Sequence, residues 1–317
     1  MPFAHTIERL DVTRTSTGAT AELVVHRLTG DRPGPTLVMF GGIHGDEAMG
    51  VEAVRRVLTS LEGAELSGTV VAVPVANPFS FETMTRHTVQ DGLNLNRIFP
   101  GDAGGSITEQ LAAALVGVLE GADHFIDFHS SGLYSTVDYA YLHENGREMA
   151  EAYGTPLLYH HDSYSGSATA WALEHGIGAM VSELGGGGQL TEQFLDRAVT
   201  GATNVLRALG MLTGEVSPAT AEQVVMTALV TLRPSNGGTL LSDFGPEHLG
   251  ERIPQGTVLG TVVDAGTFEV LETLRAPFDP SILVLTREST SRVAPGDYGF
   301  MVGDGATTST VAEELAG

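Results

Sequence analysis

"TLVMFGGIHGDEAMGVEAVRRVLTSLEG", residues 36–63, reads as a strand, a polar turn and a helix in that order. Residues 36–42 are apolar enough to be buried on both faces, as the strands of a parallel sheet are. The apolar positions after Asp46 then recur at helical spacing. Strand and helix joined by a short turn form the unit of an α/β fold, and the pattern continues to residue 184. Further strands are expected at "TVVAVPVAN" (69–77), "HFIDFH" (124–129), "TPLLYH" (155–160) and "GAMVSELG" (178–185). A helix over 106–121 opens with the capping box Ser106-x-x-Glu109. Another, over 191–210, carries Phe194, Leu195, Ala198, Val205, Leu206 and Leu209 as a core-facing stripe.

The pattern changes near 211–220, "MLTGEVSPAT", where helical periodicity stops and Gly, Pro and Ser gather. Beyond it come short β-like runs, "VVMTALVTL" (224–232), "GTVLGTVVD" (256–264), "FEVLETLRA" (268–276) and "SILVLTR" (281–287). The expected organisation is an α/β unit over 1–215 and a smaller all-β unit over 216–317. The tail, "DGATTSTVAEELAG" (304–317), has little to bury and is expected to fray.

Composition removes several chemistries. Of 317 residues 42% are hydrophobic, enough for a sizeable core, and no apolar stretch approaches the roughly 20 residues that cross a bilayer. The first residues lack the apolar region of a signal peptide, so a cytoplasmic location is the expectation. With no cysteine there are no disulfides, thiolate nucleophiles or Cys-bound metals. All 16 basic residues are arginine, so phosphate-loop lysines, Schiff bases and lysine-borne carrier groups are excluded as well. The net charge of −23 disfavours nucleic acid and anionic membranes as partners. A homo-oligomer is compatible with all of this.

Any metal must therefore sit on His, Asp or Glu. His44 and Glu47, three apart at the end of a strand, lie within reach of one another and supply two-thirds of a His₂Glu catalytic zinc site. Alone they equally fit a polar turn whose acids favour the helix N-terminus. His129 ends a second strand at the edge where open α/β sheets bind ligands, and Asp127, on the same strand face, is placed to orient a ligand. Glu183 ends a third strand before four glycines, where it could take a proton from an activated water or simply cap the next helix. The polar stretch "TRHTVQDGLNLNRIFPG" (85–101) brings Arg86, suited to an oxyanion, and Asn96 with Arg97, suited to clamping a carboxylate. Surface ion pairing would explain either arginine alone. His160 and His161 follow a strand end and are candidates to face the pocket; no role is assigned to the remaining histidines.

In this order, "GGIHGDE" (41–47), "TRHTVQDGLNLNRIFPG", "DFHSS" (127–131) and "SELGGGG" (182–188) resemble the succinylglutamate desuccinylase/aspartoacylase family, the deacylase branch of the zinc carboxypeptidase fold. The resemblance implies a mixed, largely parallel sheet flanked by helices. It implies one zinc ion per chain on His44, Glu47 and His129, Glu183 as general base and proton donor, Arg86 for the oxyanion, and Asn96 and Arg97 as the clamp. The implied substrate is a small N-acylated amino acid; a carboxypeptidase acting on a short peptide and a non-catalytic anion-binding protein are the alternatives. Members acting on acetylaspartate carry a further arginine ahead of the glutamate strand, and "SGSATAWALEHGIGAMV" (165–181) has none. A second anionic group on the substrate is thus not expected. The motif form "DGLNLNRIFPG" is closer to bacterial acetyl-diaminobutyrate deacetylases. The C-terminal segments "RIPQGTVLGTVVDAG" (252–266) and "TLRAPFDPSILVLTRESTSRVAPGDYGFMVGD" (273–304) resemble the biotinyl or lipoyl half-barrel. Without lysine such a unit is structural or narrows the active-site mouth.

Overall fold

A computed structural model describes residues 3–217 and 222–316. The strands of the first part are β1 (Phe3–Arg14), β2 (Thr20–Gly30), β3 (Arg32–Gly41), β4 (Ser67–Val73), β5 (His124–His129), β6 (Thr136–Leu142), β7 (Leu157–His160) and β8 (Gly178–Gly186). Its helices are α1 (Ala48–Ser60), α2 (Pro78–Thr83), α3 (Ile107–Leu119), α4 (Arg147–Tyr153), α5 (Ala168–Glu174) and α6 (Glu192–Ala208). The large sheet runs β1-β2-β4-β3-β5-β8-β6 and continues through Ser281–Thr286, Phe300–Asp304 and Leu229–Leu232. Its centre, β4-β3-β5-β8, is parallel, so these strands present their carboxyl ends on one edge. β6 returns antiparallel to β8.

Alternating residues of the central strands feed two cores. Leu37 and Met39 of β3 pack with Ala53, Val54 and Val57 of α1 and with Leu195 and Ala198 of α6. Val38 and Phe40 face the other way, with Leu111, Ala112 and Leu115 of α3. Burial on both faces explains the uninterrupted apolar run at 36–42. Glu109 closes the expected capping arrangement at α3 by accepting the Ser106 N–H at 2.8 Å. On α6, Leu195, Ala198, Val205 and Leu206 are buried and Phe194 and Leu209 are partly so.

Helix α1 lies unusually close to the sheet, because a Cβ at Gly50 would fall 2.3 Å from the Phe128 carbonyl oxygen. Alanine is favoured over glycine inside a helix by about 1 kcal/mol. Here the clash is with backbone, and overpacking costs about 1–3 kcal/mol. Gly50→Ala is therefore expected to lower the urea unfolding midpoint; an unchanged or higher midpoint would mean that α1 shifts freely.

Several elements differ from the sequence expectation. The β1–β2 hairpin and β6 are additional strands. Much of β1 is exposed and shows no apolar stripe, while Asp138 interrupts β6 and pairs with Arg197 of α6. "VVMTALVTL" is two strands, Val224–Met226 and Leu229–Leu232, which join different neighbours. The tail does not fray over its described part. Ser309 and Thr310 pair with Val225 and Val224, and Glu314 meets Arg147 at 2.9 Å. Of the expected boundary at 211–220, residues 218–220 lie outside the described residues.

A separate antiparallel sheet, ordered Val270–Arg275, Val258–Val263, Gly238–Leu241, Thr290–Val293, has its own core of Leu240, Leu259, Val262, Leu274 and Phe300. Ser281–Thr286 joins the large sheet by pairing with β6, which brings the C-terminal strands beside the cleft. Among the described residues no helix is long and apolar enough to cross a membrane.

Candidate active site

Gly42, at the end of β3, takes a φ of +62°, a region that a Cβ disfavours, and turns the chain over the strand edge. The turn carries His44 and Glu47 to the carboxyl end of β5, where His129 is the last strand residue. Glu183 of β8 is the register partner of His129. Side chains that are 3, 54 and 85 residues apart from Glu47 or His129 in sequence owe their meeting to the parallel order of β3, β5 and β8.

The three expected ligands do meet. His44, Glu47 and His129 are each at most 4% exposed, and one ligand atom from each lies within 4.8 Å of the others. Glu47 is the pivot. Its Oε1 is 2.9 Å from His44 Nδ1, and its Oε2 is 2.7 Å from His129 Nδ1 and accepts the Ser130 N–H at 3.2 Å. The outer ring nitrogens are held from behind, His44 Nε2 by Asn94 Oδ1 at 3.2 Å and His129 Nε2 by Asp127 Oδ2 at 2.9 Å. Metal-binding histidines are oriented in this way, with one nitrogen toward the ion and the other fixed by an oxygen.

Charge points the same way. Burial pulls His44 down to about 4, which keeps it neutral as a ligand must be, whereas at His129 burial is outweighed by Asp127 and Glu47, which raise it well above the usual imidazole range, so a metal there would have to displace its proton. Burial alone would raise Glu47, yet the two imidazoles hold it well below the usual carboxylate range. Glu47, Asp127 and Glu183 crowd into one region against Arg86, whose Nη1 donates to Glu47 Oε1 at 2.9 Å. Two imidazoles, one carboxylate and surplus negative charge fit a divalent ion of the zinc type, with room for a non-protein ligand.

Glu183 lines the same cleft and is only partly exposed. Burial pushes it up to about 8, with Glu47 and Asp127 adding to the rise and His129 and Arg86 opposing it. Arg97 also lines the cleft, its guanidinium 4.8 Å from the Tyr164 ring centroid. Asn96 is placed differently from a free clamp. Its Oδ1 accepts the Ala168 N–H at 3.0 Å and its Nδ2 is 3.3 Å from His129 Nε2, so the side chain ties α5 to His129.

Other residues of the cleft are not marked by the sequence reading. Asn94 backs His44, and the "NLN" repeat beside Arg97 was the available signal. Tyr139, Tyr141 and His143 also line the cleft, signalled by alternation in "DYAYLH". Thr231, Leu285, Tyr298 and Met301 reach it from the C-terminal part. His160 instead meets Glu144 at 3.4 Å, and His161 packs between Tyr159 and Tyr164.

Residues 33–209 match the model of the succinylglutamate desuccinylase/aspartoacylase catalytic domain. The chain is 31% identical over 247 residues to N-alpha-acetyl-L-2,4-diaminobutyric acid deacetylase of Halomonas elongata, covering 73% of this chain and 71% of that protein. The fold is also similar to a succinylglutamate desuccinylase/aspartoacylase from Rhodobacter sphaeroides, with TM-score 0.82, 24% identity, and coverage of 96% of this chain and 99% of that one. It is similar as well to the product-bound ectoine utilization protein EutE (DoeB) from Ruegeria pomeroyi, with TM-score 0.82, 24% identity and 95% of each chain covered. The domain match spans more than half of the chain and the deacetylase aligns with most of it: this protein belongs to the succinylglutamate desuccinylase/aspartoacylase family.

Proposed function

We propose that this protein is a zinc-dependent hydrolase that removes the acyl group from a small N-acyl amino acid. The observation that carries the reading is the convergence of His44, Glu47 and His129 beside a carboxylate, Glu183, that is not among the ligands. The substrate of the Halomonas elongata relative, an N-acetylated amino acid, supports the same class. One zinc ion on the three ligands would polarise the acyl carbonyl and make water nucleophilic near neutral pH.

The chain's own groups supply the rest. Glu183 accepts the proton of the attacking water and returns it to the leaving nitrogen; its raised affinity for protons suits a group that must do both. Arg86 faces the oxyanion that forms as the carbonyl becomes tetrahedral. Arg97, steadied by Tyr164 and by its Nη1 donating to the Asn96 carbonyl at 2.6 Å, binds the substrate carboxylate. Asn96 assists through His129 and α5 as well as through the substrate.

We assign residues 1–215 to the catalytic unit and 216–317 to a β unit that narrows the cleft through Thr231, Leu285, Tyr298 and Met301. That narrowing favours a single acylated amino acid over a peptide. A cytoplasmic location goes with such a substrate. The test is a panel of acetylated and succinylated amino acids beside C-terminal dipeptides and tripeptides, assayed on the zinc-loaded and the chelator-treated protein. Hydrolysis of N-acyl amino acids, lost on chelation and restored by zinc, is the expected outcome. Preference for peptides, or full activity without metal, would sink the reading.

A further inference from the structure

Behind the turn that carries His44 and Glu47 lies a second cavity, of about 350 Å³. Its apolar lining is Met49 of α1, Phe81 and Met84 at the end of α2, Leu133 after β5 and Leu190 before α6. Glycines make the room for it. Gly132, Gly186 and Gly188 line the cavity with φ of +70°, +131° and +67°, a region that a Cβ disfavours, so no side chain fills the space. Two of the apolar residues also face solvent, Met84 at 57% and Leu190 at 52% exposure.

The charge of this lining is one-sided. Asp46 and Glu82 contribute carboxylates, and among the described residues no arginine or histidine lines the cavity. Asp46 Oδ1 is buried with no hydrogen-bond partner. The residue as a whole keeps partial exposure, which leaves Oδ2 as the oxygen a ligand can reach. Oδ2 lies over Gly132, where a Cβ would be 2.7 Å from it, so the glycine keeps that approach clear. The first turn of α1 opens here too and carries roughly half a positive charge, which the two full carboxylates outweigh.

We propose that this cavity is a binding site, separate from the cleft, for a small organic cation with an apolar body, an alkylammonium or arylalkylammonium ion. The five apolar side chains cover the body, and the ammonium group meets Asp46, with Glu82 adding to the attraction. An apolar cavity of about 150 Å³ already takes benzene, so a six-carbon chain is accommodated. A carboxylate of the same length meets two negative charges with no cation to offset them and is refused. Such binding is independent of hydrolysis in the cleft.

The probes are hexylammonium, hexanol and hexanoate, titrated calorimetrically into the wild type, Asp46→Asn and Leu190→Arg. Ser130 lines both the cavity and the cleft, so the place of binding is read from carbon-13 methionine methyl signals. Met49 and Met84 report on the cavity and Met301 on the cleft. Hexylammonium is expected to bind one to one, roughly tenfold tighter than hexanol, as a charge-assisted hydrogen bond supplies. It should move the Met49 and Met84 signals and leave Met301 in place, while hexanoate does not bind. Asp46→Asn should bring hexylammonium down to the level of hexanol. Leu190→Arg, a change at an exposed side chain that leaves the fold intact, should weaken hexylammonium by about fivefold and hexanol less, through repulsion between like charges. Hexanoate binding as tightly as hexylammonium, shifts confined to Met301, or an unchanged hexylammonium affinity in both variants would overturn the site. A wild type that sediments as a dimer and a Leu190→Arg variant that sediments as a monomer would give the cavity to a second copy of the chain, and would overturn it as well.

Discussion

Glu183→Gln is expected to lower kcat by roughly 10²- to 10⁴-fold, the range that positioned acid–base groups supply, while zinc binding at the proposed site is unchanged. Glutamine matches the shape of glutamate but cannot take a proton from water or return one to a leaving amine. The side chain is not among the grouped ligands, so metal content measured by atomic emission should stay at one equivalent. Folding should not suffer either, because burial pushes Glu183 up to about 8, so that in the metal-free protein it is already largely neutral at pH 7 and a side-chain amide changes little there. The thermal midpoint is expected to stay level or rise. The pH profile gives a second readout. A base works ionised, so kcat/KM falls as acid protonates it. Burial pushes Glu183 up to about 8 in the metal-free protein, and a bound cation draws it down. The acidic limb of the wild type should therefore lie above the ordinary carboxylate range and below about 8. That limb should vanish in Glu183→Gln; a variant within tenfold of wild type, or one with the limb unmoved, removes Glu183 from the chemistry.

The residues of this site differ in how much they disclose in sequence. His44, Glu47, His129 and Glu183 each interrupt or end an apolar strand, and polar groups at such positions stand out in a local reading. Their convergence follows once the strands are taken as parallel, since parallel order puts all the carboxyl ends on one edge. Asn96 was less legible. Its motif suggests a ligand-binding amide, yet its oxygen goes to the N–H of Ala168, 72 residues later in the chain, a partner that only tertiary folding supplies. The β6 stripe was hidden by Asp138, which breaks the apolar run and makes sense only beside Arg197 of α6. Much of the outer face of the β1–β2 hairpin is open to solvent, and a strand without a buried stripe leaves little periodicity to read.

Glu47→Gln is expected to abolish both metal binding and activity, more completely than any change in the groups around it. Its carboxylate touches every other part of the cluster: His44 and Arg86 through Oε1, His129 and the Ser130 N–H through Oε2. A side-chain amide offers one oxygen in place of two and no charge. The −NH₂ group would have to face either the Ser130 N–H or the Arg86 guanidinium, donor against donor. For the metal, the loss of the sole anionic ligand weakens the attraction that balances the desolvation of a dication. For the fold the cost is smaller. Removing one partner of a buried ion pair costs about 3–5 kcal/mol when the other stays charged. Here His129 can release its proton and still meet water or Asn96, and the Arg86 side chain is 43% exposed. A loss nearer the 1–3 kcal/mol of an unsatisfied buried group is the expectation for the metal-free proteins compared by urea unfolding. Metal analysis after dialysis decides the main point. A Glu47→Gln protein that retains one equivalent of zinc and hydrolyses its substrate would show that the ion is held elsewhere, and the histidine pair would then be a hydrogen-bonded core feature.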